Sequence, residues 1–364
     1  MTEKIQKAYP FERLDAGKRT GLVFCGMGGP DSQQAVRPFL RNLFSDPAIL
    51  PVPRLLSPLV GQLMSIRRAP SARKRYLQVS ADGVTPQLAT TLAQAEAVAQ
   101  MLSEKGAPCM GSMAMRYWHP YPAETLKELV KRGAEQFLLV PTYPQYSCAT
   151  TGSTLKFVLD AMPVAAAGKP VHVLSEWPLL PGFLDVLSHA STEALKGFAR
   201  RGLPPEACAL LYVAHSLPQK MVDQGDPYLE QTLSTVQAVQ QKVQTTLTAA
   251  GHGQWTQRAA GTSRPLLTFQ SRVGPIKWLG PEVTETVRQL AAGGCRHLHV
   301  QPVSFTCEHV ETLLELDVEL KSDAMAAGIQ TFSRGSALNL QSSWLQSLTE
   351  ELLRRSFKPE VFAR

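Results

Sequence analysis

Apolar and polar positions divide the chain into two alternating kinds of segment. Eight short apolar runs have the length and the bounding turn residues of buried strands: "TGLVFCGM" (20–27), "APCMGSMAM" (107–115), "EQFLLVPTY" (135–143), "KPVHVLSEW" (169–177), "ACALLYVAH" (207–215), "PLLTFQS" (265–271), "RHLHVQPVSF" (296–305) and "GIQTFS" (328–333). Between them lie amphipathic stretches such as "AQAEAVAQMLSEKGAP", "AETLKELVKRGAEQ" and "PEVTETVRQLAAGGCRH", each with a glycine where a helix C-cap belongs. Strands and helices alternating through short loops predict an α/β fold with parallel sheets. That spacing, with a length of 364 residues, predicts two doubly wound lobes. The expected boundaries are 18–167 for the first lobe and 168–335 for the second. A C-terminal helix within 336–364 is expected to pack back on the first lobe. Ligands of such folds sit beyond the carboxyl ends of the strands, so chemistry is sought there.

Residues 46–70, "DPAILPVPRLLSPLVGQLMSIRRAP", break the alternation. Five prolines stand among large aliphatics, followed by Arg67 and Arg68, with Arg73, Lys74 and Arg75 close behind. A core helix with a basic tail is the plainer reading. The prolines fit a tidy core helix poorly. An exposed apolar lip edged with cations is the sharper one, suited to a membrane surface or a greasy acidic ligand.

Composition narrows the class. Hydrophobic residues at 44% and charged residues at 18% describe a globular chain rather than a disordered one. A net charge of +7 admits nucleic acid, an anionic membrane or an acidic ligand. Basic motifs interleaved with aromatics are missing, which argues against nucleic acid. Cys25, Cys109, Cys148, Cys208, Cys295 and Cys307 are scattered, with no CxxC spacing. The opening "MTEKIQKAYPFERLDAG" is polar, unlike a signal peptide, and no stretch approaches the roughly 18–20 apolar residues of a membrane span. Reduced thiols and a cytoplasmic location are therefore expected.

Four strand ends carry unusual polar residues. "GMGGPDS" (26–32) allows close backbone approach to a ligand, but it is neither GxGxxG nor a P-loop, and it also reads as a turn and helix N-cap. "MRYWHPYP" (115–122) and "PTYPQYSCATTGS" (141–153) gather Tyr117, Trp118, Tyr143 and Tyr146 with the hydroxyls of Ser147, Thr150, Thr151 and Ser153. Such a surface suits a planar ligand, although an ordinary loop would look similar. In "YVAHSLPQ" (212–219), His215 closes an apolar run. A lone histidine is more often structural than catalytic, yet a neutral imidazole at a strand end can accept a proton near pH 7.

The fourth stretch, "SFTCEHVETLLELDVEL" (304–320), sets His309 among Glu308, Glu311, Glu315, Asp317 and Glu319. On an α-helix Glu311, Glu315 and Glu319 would share a face and repel by roughly 0.2–0.5 kcal/mol per pair. They form either a solvated acidic face or a set that accepts protons and guides a divalent cation. The spacing is not HExxH, so a transient metal contact is expected rather than a permanent cage.

Taken in order, "GMGGPDS", "MRYWHP", "PQYSCATTGS", "AHSLPQKMVDQGDPY", "FQSRVGPIKWLGP" and "FTCEHVETLLELDVE" resemble the ferrochelatase family, which inserts Fe(II) into a porphyrin at the end of haem synthesis. The motifs run from about residue 20 to residue 320. The resemblance implies Rossmann-like lobes of the chelatase class with a porphyrin cleft between them, and a lyase that releases two protons. It makes His215 and Glu311 catalytic. It makes His215, Glu311, His309 and Glu315 the metal contacts, the acidic ridge of Glu311 and Glu315 lying on a helix with a π-type widening. It implies porphyrin contacts from Met27, Arg116, Tyr117, Ser147 and Trp278. The lip becomes a membrane-facing, porphyrin-enclosing element, with Arg67 and Arg68 directed to the propionates.

The implied partners are porphyrin, Fe(II) as substrate, the inner face of the membrane and the haem-pathway oxidase that acts before. No nucleic acid and no permanent cofactor are implied. Cys148 matches one cluster position of some relatives, but no cysteine follows Cys307, so no iron–sulfur cluster is expected.

The chain departs from the family pattern at Gly26 (usually Asn), at Cys307-Glu308 (often Ser-Asp), at "VSADGVTP" (79–86) and in the long linker "GHGQWTQRAAGTSRP". The lip residues Leu55, Leu56, Leu59, Val60 and Leu63 favour protoporphyrin IX over coproporphyrin III. A cobalt or nickel chelatase, or a non-catalytic porphyrin or haem carrier, would share the fold. Having both His215 and Glu311 favours an enzyme.

Overall fold

The computed structural model describes residues 13–47, 49–50, 52–53, 55–255, 266–272 and 274–358. Most of the polar N-terminal stretch and residues 256–265 of the long linker lie outside the described residues.

The first unit is built from β1 (Thr20–Gly26), α1 (Val36–Phe44), α2 (Ser57–Val79), α3 (Gln87–Glu104), β2 (Cys109–Met115), α4 (Pro122–Lys131), β3 (Gln136–Pro141), α5 (Ser153–Ala165) and β4 (Val171–Val173). Its four strands are parallel, in the order β2-β1-β3-β4. β1 is buried along its whole length, as a central strand covered on both faces must be. Val23, Leu126, Phe137, Leu139, Leu155 and Leu159 pack one side of that sheet. Gly106 and Gly133, just past α3 and α4, take the left-handed conformation that closes a helix.

The second unit repeats the topology. It contains α6 (Pro181–Arg200), β5 (Cys208–His215), α7 (Gln219–Asp223), α8 (Tyr228–Ala249), β6 (Leu267–Gln270), α9 (Val283–Ala292), β7 (His297–Pro302), α10 (Val310–Leu313), α11 (Lys321–Ala326) and β8 (Thr331–Arg334). The strand order is β6-β5-β7-β8, again all parallel. Each unit therefore places its first and third strands at the centre. All eight expected strands form, within a few residues of their expected ends.

The first unit runs to Trp177 and takes up the chain again at Leu345, while the second spans Pro178–Trp344. This moves the expected 167/168 boundary. Residues 169–177 do not open the second lobe, because β4 pairs with β3 at Phe137, Leu138 and Leu139. In α12 (Ser342–Ser356), Thr349 donates to Met101 Sδ at 3.6 Å. At the helix end, Leu14 N–H donates to Ser356 O at 2.8 Å.

The lip segment contains α2, a helix despite its prolines. Pro58 falls in the first turn, where no intrahelical N–H is needed, and Pro70 lies inside. Its buried residues are Ser57, Gly61, Ser65 and Ala69, four apart, and Tyr76 near the C-terminal end. A Cβ on Gly61 would lie 2.0 Å from Ser45 Oγ and 2.9 Å from Arg41 O, so the backbone comes very close to the end of α1. Leu55, Leu56, Leu59, Leu63 and Ile66 are exposed, Leu59 and Leu63 at 60% each. Over residues 57–69 the helix is thus amphipathic in reverse, with small residues inward and large apolar ones outward.

Candidate active site

In the second unit, all four strands end beside the acidic segment. His215 is the last residue of β5. Its backbone is fixed by its N–H on Ser304 Oγ (3.1 Å) and by the Tyr228 hydroxyl on its carbonyl (2.8 Å). Its Nδ1 lies 2.6 Å from Ser216 O. A carbonyl can only accept, so Nδ1 carries the proton and Nε2 is the basic nitrogen of the neutral ring. Nε2 in turn lies 3.6 Å from Glu311 Oε1, and both side chains are partly exposed. The other carboxylate oxygen of Glu311 is 3.4 Å from His309 Nε2. His309 caps α10, its N–H donating to Thr312 Oγ1 (3.0 Å), and its ring meets the Phe305 ring at 4.7 Å.

The expected single acidic face is replaced by two short pieces. Val310–Leu313 is α-helical, whereas Glu315–Leu320 is π-helical, with Glu319 N–H on Leu314 O at 2.9 Å. The π-type widening implied by the resemblance is therefore present. A four-residue spacing no longer closes a turn there, so the carboxylates diverge.

Glu315 turns to β6. Ser271 Oγ donates to its Oε2 at 2.5 Å and Gln270 Nε2 at 3.1 Å, while the same Gln270 nitrogen holds Glu311 O at 2.8 Å. Ser271 has φ +65°, a left-handed backbone uncommon for serine.

Glu308 and Asp317 turn to β8. Arg334 grips both Asp317 oxygens at 2.7 Å and Glu308 Oε1 at 2.9 Å. Burial raises the Glu308 carboxyl, but the Arg334 charge and hydrogen bonds from Thr312, Arg334 and the Ala337 N–H hold it below the ordinary range. Two of the five acids are thus ion-paired structure. Among the described residues, no group of three or more His, Cys, Asp or Glu side chains is arranged to hold a metal ion.

Trp278, partly buried, joins the same region. Residues 277–279 run beside the chain after His215, with Gln219 N–H on Lys277 O (2.9 Å), Leu279 N–H on Leu217 O (2.8 Å) and a bridge between Pro218 and Trp278.

In the first unit, Met27, Arg116, Tyr117 and Ser147 likewise collect at strand ends. Met27 N–H donates to Tyr143 Oη at 2.8 Å, and Arg116 and Tyr117 N–H donate to Gly26 O and Met27 O at 2.9 and 3.0 Å. Asp46 engages both side chains, pairing with the Arg116 guanidinium and accepting from Tyr117 Oη at 2.9 Å. Tyr117 is buried, and that burial raises its phenol pKa.

Ser147 is buried and caps a second π-turn, Cys148–Gly152, by accepting from Ala149 N–H at 3.1 Å. Gly26 lies against Thr142: a Cβ there would sit 2.9 Å from Thr142 Oγ1, so the family's usual asparagine needs that hydroxyl to move. Arg67 and Arg68 are exposed on α2. Sequence reasoning missed Gln270, Ser271, Arg334 and Asp46. The first two lie in the quoted motif "FQSRVGPIKWLGP", while Arg334 and Asp46 carry no local signal.

A family model described as ferrochelatase matches residues 19–356. The chain belongs to the ferrochelatase family. It is 36% identical over 341 residues to the ferrochelatase of Gloeobacter violaceus, covering 92% of this chain and 96% of that one. It is 34% identical over 332 residues to that of Geotalea uraniireducens, covering 91% and 96%. Among solved structures, SirB from Bacillus subtilis with Fe3+ is similar at a TM-score of 0.48 and 11% identity, over 75% of this chain and 91% of that one. As a ferrochelatase-family chain it has the two four-stranded parallel sheets described above.

Proposed function

We propose that this chain is a lyase that inserts Fe(II) into protoporphyrin IX, giving protohaem and two protons. The observation that carries the reading is the pairing of His215 Nε2 with Glu311 Oε1 at 3.6 Å in a ferrochelatase-family chain. His215 Nε2, basic because Nδ1–H is committed to Ser216 O, takes a pyrrole proton. Glu311 stabilises the imidazolium that results and, with His309 and Glu315, guides the incoming cation. Met27, Ser147 and Trp278 are proposed porphyrin contacts. Arg116 and Tyr117 join them through the backbone and rings they hold in place, since Asp46 already occupies their polar ends. Binding energy from these contacts would distort the ring and expose its nitrogens.

The lip supports a peripheral membrane location at the inner face, and protoporphyrin as the porphyrin taken from it. Its leucines point outward beside the exposed Arg67 and Arg68, which suit anionic headgroups or propionates. No described helix is long and apolar enough to cross a membrane. The oxidase that forms the porphyrin is the partner this location would bring within reach.

The test is anaerobic Fe(II) insertion into protoporphyrin IX and coproporphyrin III, followed by absorbance. Faster insertion into protoporphyrin is expected. Preference for coproporphyrin would overturn the substrate, and tight binding without insertion would turn the reading to a carrier.

A further inference from the structure

The sheet of the second unit holds the acidic segment from both of its edges. β6 and β8 are the edge strands of the order β6-β5-β7-β8. From β6, Gln270 and Ser271 hold Glu311 O and the Glu315 carboxylate. From β8, its last residue, Arg334, holds Glu308 and Asp317. The attachments interleave along the chain: 308 to β8, 311 and 315 to β6, 317 to β8. The β6 attachments hold groups used in the chemistry proposed above, Glu311 and Glu315, whereas the β8 attachments hold their neighbours Glu308 and Asp317.

Resting on the reading of His215 and Glu311 as chelatase groups, we propose that Arg334 is a positioning residue for metal insertion. Its guanidinium ties both flanks of the Glu311 turn to the sheet and selects the π register of Glu315–Leu320. Three features of its geometry point this way.

First, the guanidinium uses its fork fully. Nε and Nη2 take the two Asp317 oxygens at 2.7 Å each, while Nη1 takes Glu308 Oε1 and Gly335 O at 2.9 Å each. Only arginine offers a parallel pair and a third direction from one rigid plane. Second, the Arg334 side chain is 9% exposed, unlike a solvent-screened surface pair. The clamp also continues past it, because Glu308 Oε1 accepts from Ala337 N–H (2.8 Å) and Glu308 N–H donates to Asn339 Oδ1 (3.0 Å).

Third, the clamp brackets the change of register. Leu314 O accepts from both Val318 N–H (3.1 Å) and Glu319 N–H (2.9 Å), where α and π bonding meet. Passing from π to α bonding there rotates each later side chain relative to each earlier one. Asp317 is the residue whose direction that rotation sets, and Arg334 holds it. Freed from Arg334, the segment can slide into the α register, which would turn Glu315 from Ser271 and carry the Glu311 turn away from His215.

The test compares Arg334→Lys, Arg334→Met and the triple variant Arg334→Met/Glu308→Gln/Asp317→Asn, which leaves no unmatched buried charge. Folding is checked by circular dichroism, porphyrin affinity by fluorescence quenching, and kcat and KM for Fe(II) and the preferred porphyrin are measured separately. The expected result is a folded triple variant with porphyrin affinity within about twofold of the unsubstituted chain and kcat lower by roughly tenfold or more, the scale at which small misplacements act. Lysine, which keeps the charge but not the fork, recovers little of that loss.

Wild-type kcat in the folded triple variant would overturn the proposal, and so would full recovery by lysine. Parallel loss of kcat, porphyrin affinity and thermal stability would make Arg334 structural only, which also overturns it. No insertion by the unsubstituted chain would sink the chelatase reading and this inference together, whereas insertion that survives intact in the triple variant sinks this inference alone.

Discussion

His215 Nε2 lies 3.6 Å from Glu311 Oε1, and the proton on His215 Nδ1 is held by Ser216 O at 2.6 Å. The basic nitrogen therefore faces the carboxylate. His215→Ala is expected to lower Fe(II) insertion by roughly 10²–10⁴-fold, the usual contribution of a positioned base, with porphyrin still bound. Glu311→Gln keeps the shape and is expected to cost rate rather than thermal stability. Stopped insertion assays and melting curves check both, and full activity in either variant removes that residue from the mechanism.

Ser271 combines a strained backbone with a contact to Glu315. Alanine and glycine both lose the hydroxyl, but glycine takes φ +65° without penalty. Ser271→Ala is expected to be less stable than Ser271→Gly by about 1 kcal/mol, while both variants insert iron equally slowly. Urea titrations and insertion rates separate the two effects. Equal stability would mean that the serine backbone carries no strain.

On α2, size and exposure predict opposite effects for neighbouring positions. Leu59→Ser with Leu63→Ser removes outward apolar surface, so stability should change by no more than about 0.5 kcal/mol per site. Co-sedimentation with anionic vesicles should fall. Gly61→Leu pushes a side chain into Ser45 and Arg41 and should destabilise by about 1–3 kcal/mol or more. Vesicle binding that persists in the serine variant would take the lip out of the membrane contact.

His299 on β7 is buried, with Nδ1 2.9 Å from Ser333 Oγ. Burial pushes its pKa down to about 4, opposed by a hydrogen bond with Gln301 and helped by the Arg334 charge. The unfolded chain, with an ordinary histidine near 6.5, takes up a proton there that the folded chain refuses. Its contribution to stability is thus complete above about pH 6.5 and is lost as pH falls toward 4, in total about 3 kcal/mol. Chemical denaturation from pH 7 to pH 4 should show a shallower decline for His299→Gln than for the unsubstituted chain. Parallel curves would assign the acid sensitivity elsewhere.

The strands were legible because each is a short apolar run between turn residues, and a buried parallel strand needs nothing more. β4 was legible as a strand but not by partner, since three residues of pairing to β3 are a long-range choice. His215, His309, Glu311 and Glu315 were legible through their motifs. The sorting of the five acids was not, because Arg334 lies 26 residues from Glu308 and 17 from Asp317. Ser271 stood in a quoted motif, but its left-handed backbone and its hold on Glu315 depend on where β6 ends against a segment 44 residues away.

By itself the sequence determined the alternation of strand and helix, the parallel sheets and the residue types available for proton and cation chemistry. These follow from local periodicity and from which side chains ionise. Tertiary structure decided which acids are neutralised, which nitrogen of His215 is basic and which face of α2 is buried. Each of those depends on a partner brought close by folding, and charge, hydrogen bonding and packing act only over the few ångströms that folding closes.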